Sequence, residues 1–267
     1  MKAALSGFES TPGRTRDDPT RSTGLARSDA CGATAVKIAG FESTDYALLC
    51  GALVWIGDDA TLRHPRNLAS RWSPPPIVCD AQRLRAGARV CLRLLEALPA
   101  TGLLRWLKGQ ALPFPLDRVA PRFDAIGAAL ERNDLRAFEA GALRILGLGQ
   151  GLTPSGDDFV GGICFALRHA PRDEWRAHLP AVLARIRGCA ATSTNVISAA
   201  LLDDLLDGAS YGALHELLAA LQGKMPAEIA RATQALLGVG AASGADMLAG
   251  LLAALLTTPC PDLEAQP

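Results

Sequence analysis

Gly147-Leu148-Gly149-Gln150-Gly151-Leu152-Thr153-Pro154-Ser155-Gly156-Asp157-Asp158 has a shorter counterpart near the C-terminus, Gly238-Val239-Gly240-Ala241-Ala242-Ser243-Gly244-Ala245-Asp246. Both read Gly-x-Gly, a spacer, then Ser-Gly-x-Asp, and both lead into an apolar run of helical spacing. The register continues: Asp158 matches Asp246, and Gly162 matches Gly250. The pattern predicts a duplicated loop-to-helix unit that brings two similar helix starts to one place. Phe159, Ile163 and Leu167 carry the first helix until Pro171. Met247, Leu248, Leu251, Leu252 and Leu255 carry the second until Pro259. In each copy the serine and the acid three residues later form the pattern of a capping box, which assigns Asp158 and Asp246 to structural capping. Gly162 and Gly250 fall mid-helix, where glycine costs roughly 1 kcal/mol relative to alanine. Close packing of one backbone on another is the expected compensation.

The loops suggest more than architecture. Gly147, Gly149 and Gly151 allow positive φ and the near approach of a ligand. A glycine turn that opens a helix presents uncommitted N–H groups and the positive end of the helix dipole, which suits a phosphate or a carboxylate. Gly149, Gly151, Thr153, Ser155 and Gly156 are therefore candidates for holding a small anionic substrate, with Ser243 and Gly244 from the second copy. Asp157 has no capping role, and its counterpart is Ala245, so it is the candidate for chemistry. It can accept a proton, orient an amine or hold a divalent cation beside a phosphate. The sequence requires no cofactor; magnesium is the one such an acid would hold. The competing reading confines the glycines and caps to turns and packing. Neither loop is a Walker sequence or a dinucleotide fingerprint.

Composition narrows the class. The 267 residues are 49% hydrophobic and 20% charged, with 27 basic and 27 acidic side chains, a balance that gives no reason to expect nucleic acid or an anionic membrane as partner. Aromatic content of 5% also speaks against a base-stacking platform. Seven scattered cysteines without a Cys-x-x-Cys pair, and four histidines without i,i+4 spacing, predict reduced thiols in a cytoplasmic protein and no metal site. The N-terminus lacks the apolar core of a signal peptide, and Gly240, Ser243, Gly244 and Asp246 interrupt the apolar stretch 235–256.

Along the chain, residues 1–35 are polar and expected to be disordered. Residues 36–80 are expected to be β-rich, from the short apolar runs at 47–50, 53–56 and 77–79, with a basic loop of Arg63, His64, Arg66 and Arg71 between. Residues 81–258 read as helical and carry the glycine loops, and 259–267 form a tail. Helices are expected near 84–95, 122–131, 134–146, 177–187, 194–207, 210–221 and 226–237. The run Thr192-Ser193-Thr194-Asn195 opens one of them, and Thr194 joins the candidate ligand contacts. The fold class that follows is α+β, a small β-rich part followed by a larger helical one.

The string Gly151-Leu152-Thr153-Pro154-Ser155-Gly156-Asp157-Asp158-Phe159, preceded by Gly147 and Gly149, resembles the signature of a bacterial family long described as a domain of unknown function. That family includes the smallest subunit of the three-part oxamate carbamoyltransferase of allantoin breakdown. The resemblance extends more loosely through 192–198 and the repeat at Ser243. It implies a part in carbamoyl transfer between carbamoyl phosphate and oxamate, giving oxalurate, in a cytoplasmic hetero-oligomer with other subunits, among them an acyl-CoA-synthetase-like large subunit. The Ser-Thr-Arg-Thr-Arg type of motif used by aspartate and ornithine carbamoyltransferases is absent. Two other classes stay open: a stand-alone enzyme binding a phosphorylated metabolite or nucleotide at the glycine loops, and a non-catalytic scaffold subunit.

Overall fold

A computed structural model describes residues 79–223 and 225–257, and of the N-terminal part only the backbone of three short strands, Thr34–Ile38, Tyr46–Leu49 and Ala52–Ile56. The first and third of these pair in parallel. The extension at 1–33, the basic loop at 63–71 and the tail at 259–267 lie outside the described residues. The chain divides into an N-terminal unit and a second unit to which all the described helices belong.

The helical unit starts at α1, Ala81–Glu96, where Asp80 accepts hydrogen bonds from the N–H groups of Gln82 and Arg83. Its buried stripe is Leu84, Ala88, Cys91 and Leu95, the spacing that an amphipathic helix requires. A one-turn α2, Leu104–Leu107, and a 3-10 turn, Leu116–Val119, lead to α3, Ala120–Glu131, and α4, Leu135–Ile145. Then follow α5, Ser155–His169, and α6, Leu179–Ser193. Asn195 caps α7, Val196–Asp207, and Gly208 ends it with a left-handed φ of 83°. The last three are α8, Gly212–Gly223, α9, Pro226–Leu237, and α10, Ser243–Leu256.

Two of these helices form the centre. Every residue from Gly156 to Leu167 of α5 and from Gly244 to Leu255 of α10 is buried, and the two helices pack on each other more extensively than any other pair. A helix that is apolar all round belongs inside a core. The described elements that cover them are helices: α7 lies on α5, and α1, α2 and α9 lie on α10. Trp106 and Phe123 both meet the Phe159 ring edge-on, at centroid distances of 5.3 and 5.5 Å, and so tie α2 and α3 to the start of α5.

The α+β expectation is overturned. Residues 79–257 are 73% helical and contain no strand, so this is a helical fold. Grouping the early apolar runs and the helical half into one class missed that the central pair already has helices against it. Among the described residues of this unit the central pair is covered by helices.

Candidate functional site

The duplicated sequence units meet in space. A Cβ added to Gly162 would overlap the carbonyl oxygen of Met247, and one added to Gly250 would overlap that of Phe159. Phe159 and Met247 hold the same place in the two copies, so the contact is reciprocal and α5 and α10 cross about an approximate two-fold axis. The loops close alike: Gly156 N–H donates to Leu148 O at 2.8 Å, and Gly244 N–H donates to Val239 O at 3.0 Å. Gly156 and Gly244 also sit where a Cβ would run into the carbonyls of Ile145 and Leu236. These two glycines are buried and serve close backbone approach.

The polar centre corrects the capping assignment. Ser155 and Ser243 are the first helical residues of α5 and α10, and neither helix has a side-chain cap. The hydroxyls cross over instead: Ser155 hydrogen-bonds Asp246, and Ser243 hydrogen-bonds Asp158. Thr153 Oγ1 lies 2.7 Å from Ser243 Oγ and also bonds Asp158. Leu103 N–H donates to Asp246 Oδ1 at 2.6 Å. Asp158 is 5% exposed and Asp246 1%. Burial, reinforced by the negative charge of Asp246, pushes the Asp158 carboxyl up to about 8. Burial also raises Asp246, to about 6, and the Leu103 N–H and Ser155 hydroxyl hold that rise down. At neutral pH the pair therefore keeps one proton, on Asp158, whose Oδ2 is buried without a hydrogen-bond partner.

Asp157 lies in the same helix turn, 2% exposed, and faces a different set of donors. Its Oδ1 accepts from Gly147 N–H at 2.7 Å, and its Oδ2 accepts from the hydroxyls of Thr194 at 2.5 Å and Ser198 at 2.6 Å. One carboxylate thus ties the glycine loop to the start of α7. Asn195 adds a second tie, donating from Nδ2 to Leu152 O at 2.9 Å. With both oxygens engaged by the protein, Asp157 is placed to position the loop. Among the described residues no group of three or more His, Cys, Asp or Glu is arranged to hold a metal ion. Thr194 is likewise turned toward Asp157. Ser198 was not among the sequence candidates. It lies in the first turn of α7, past the run 192–195, and the fold turns its hydroxyl toward Asp157.

The loop itself is open. Five residues separate Gly149 from Ser155, whereas two separate Gly240 from Ser243. Gly147, Gly149 and Gly151 adopt φ of 75°, 131° and 93°, a region closed to most side chains. Gln150, Gly151 and Leu152 are exposed, and Gly149, Thr153 and Ser155 half-buried. Among the described residues the N–H groups of Gly149, Gln150, Gly151, Leu152, Thr153 and Ser155 have no hydrogen-bond acceptor. Such a row of free donors at a helix start is suited to an anion.

The four described cysteines, Cys79, Cys91, Cys164 and Cys189, are free thiols, and no described helix is long and apolar enough to cross a membrane. No curated protein and no solved structure matches the chain. Residues 145–255 match the family model described as oxamate carbamoyltransferase subunit AllH, a span that opens at the last residue of α4 and takes in both loop–helix units. Over that span, a little over two fifths of its length, the chain is similar to the AllH-like family.

Proposed function

We propose that this chain is a subunit of a carbamoyltransferase of purine (allantoin) catabolism, acting between carbamoyl phosphate and oxamate, and that the loop 149–155 receives an anionic group of the substrate. The observation that carries the reading is the row of acceptor-free N–H groups on that loop, inside the span that matches the family. In the synthetic direction the oxamate nitrogen attacks the carbamoyl carbon and the C–O bond to phosphate breaks. The proton lost from nitrogen leaves with the phosphate, and the product is oxalurate. A phosphate or carboxylate held by backbone N–H groups keeps its charge neutralised without a competing side-chain proton. Asp157 acts as a positioning residue, since it fixes Gly147 and α7 relative to α5. The other subunits, including an acyl-CoA-synthetase-like large subunit, complete the site.

The test is phosphate release from carbamoyl phosphate with oxamate as acceptor, using the chain co-purified with the products of its neighbouring genes. Gly151→Val is the informative variant, because Gly151 has a φ of 93° and nothing within 4 Å of an added Cβ. The left-handed φ strains valine, so the thermal midpoint should fall by a few degrees, while turnover measured well below that midpoint should drop at least tenfold. Full turnover in that variant would remove the loop from the site. No phosphate release from any combination of subunits would remove the reaction.

A further inference from the structure

A cleft of about 740 Å³ lies beyond the C-terminal end of α5, at the opposite end of that helix from the glycine loop. Its size is that of small-molecule sites, which run about 300–1,000 Å³. One wall is the α3–α4 corner, with Arg132, Asp134 and Arg136. The other is the start of α6, with His178, Val182 and Arg185, and Asn133 and Trp175 also line it.

The corner is rigid. Asn133 has a φ of 55°, its N–H bonds Leu130 O, and the next N–H, from Asp134, bonds Ala129 O. This is a Schellman ending of α3, and Asp134 at once caps α4 by accepting from Ala137 N–H. Trp175 Nε1 donates to Asn133 O at 3.1 Å. The Arg172 guanidinium stacks on the Trp175 ring at 4.6 Å and donates to Leu130 O, Asn133 Oδ1 and Thr257 Oγ1. Arg172 is 2% exposed, none of its hydrogen-bond partners is a carboxylate, and its Nε has no partner.

The charges on the lining divide into committed and uncommitted. Glu139 is paired with Arg185, and Asp134 is engaged at the positive end of α4. Arg132 and Arg136 make no ion pair or side-chain hydrogen bond among the described residues, and Glu174 is the acid left in the same state. Two guanidiniums without an ion-pair partner among the described residues, and Glu174, whose charge also acts on the buried Arg172 behind Trp175, define a complementary ligand. We infer that this cleft binds a small organic anion that also carries an N–H group, with Arg132 and Arg136 receiving its oxyanion and Glu174 accepting from its nitrogen. Guanidinium suits carboxylate and phosphate alike. The inference is independent of the reaction proposed for the glycine loop.

The experiment titrates the full chain with L-glutamate, glutarate and inorganic phosphate while following the Trp175 indole N–H signal by NMR, identified with Trp175→Phe. L-Glutamate should move that signal saturably and bind more tightly than glutarate, which lacks the ammonium. Arg132→Ala and Arg136→Ala, both at exposed positions, should each weaken binding about five- to tenfold. Glu174→Gln should erase the preference for glutamate over glutarate, and Gly151→Val should change nothing. Tighter binding of phosphate, lost in the arginine variants, would support the site and assign its oxyanion as phosphoryl. The inference is overturned by the absence of a saturable shift with all three probes, by a shift that survives both arginine substitutions, or by equal affinity for glutamate and glutarate.

Discussion

The two loop–helix units of this protein pack alike and differ in what they hold. Both put a glycine under the partner's backbone, both close the loop on the helix start with the same N–H to carbonyl bond, and both send a serine across to the other's acid. The first unit alone has three positive-φ glycines, a longer spacer with Thr153, and a second acid, Asp157, tied to Thr194 and Ser198. In the second unit only Gly240 takes positive φ, and Ala245 replaces the acid. The symmetric features hold the core together. The asymmetric ones shape an open loop in one copy only, the loop proposed above to receive an anion.

Breaking the symmetric part should have the largest effect. Gly162→Ala and Gly250→Ala each drive a Cβ into a backbone carbonyl that cannot move without shifting the partner helix. Each should cost about 3 kcal/mol, the upper part of the usual range for overpacking, and urea denaturation measures it. Tolerance of either substitution alone would show that the crossing is not reciprocal.

Next in size is the titration of the buried carboxyl pair. Both carboxyls have native values above the ordinary 3.8, about 8 for Asp158 and about 6 for Asp246. In the pH range between the ordinary and native values the unfolded chain has released protons that the native protein keeps, so stability falls as pH rises. Their contribution is full below about pH 4 and is lost as pH climbs through the two native values. The thermal midpoint should fall steadily between those limits, and Asp158→Asn should flatten the part above the Asp246 value. A midpoint that rises with pH over that window in the wild type, but not in Asp158→Asn, would reverse the assignment.

Asp157→Asn sharpens the difference between the copies. Asparagine keeps the shape, loses the charge and cannot accept from all three donors, so the loss should be about 2 kcal/mol, within the range for hydrogen bonds to a charged group. Amide exchange should accelerate at 147–153 and stay unchanged at 238–242. Equal acceleration in both loops would mean that Asp157 supports the crossing and not its own loop.

The smallest effects are expected from the serines. Ser155→Ala and Ser243→Ala should each cost about 1 kcal/mol. A double-mutant cycle decides how they act: coupling should appear between Ser155 and Asp246 and be near zero between Ser155 and Asp158. The reverse result would restore intrahelical capping boxes.

Much of this could be read from the chain. The spacing gives the helix at 226–237 its observed limits and those at 122–131 and 134–146 theirs to within a residue or two, and the mid-helix Gly162 and Gly250 mark the points where the two backbones meet. Local periodicity and breakers such as Pro171 carry that information. The helix expected to stop at Gly188 runs on to Ser193, because a single glycine lowers helix propensity without ending a helix that packs on its neighbours. The Ser-x-x-Asp spacing was legible but its partners were not. An i,i+3 pair reads as a cap only if the serine stands just before the helix, and here it stands one place inside.

The sequence alone thus determined the helical periods, the duplication and the glycines on which two backbones meet, since these follow from spacing along one strand of chain. The tertiary structure decided that each serine belongs to the other helix's acid, that Asp157 faces Thr194 and Ser198, and that Asp158 keeps its proton. Those pairings join residues from about 37 to 91 positions apart in the chain. The desolvation that raises a carboxyl exists only once helices from distant segments have closed around it.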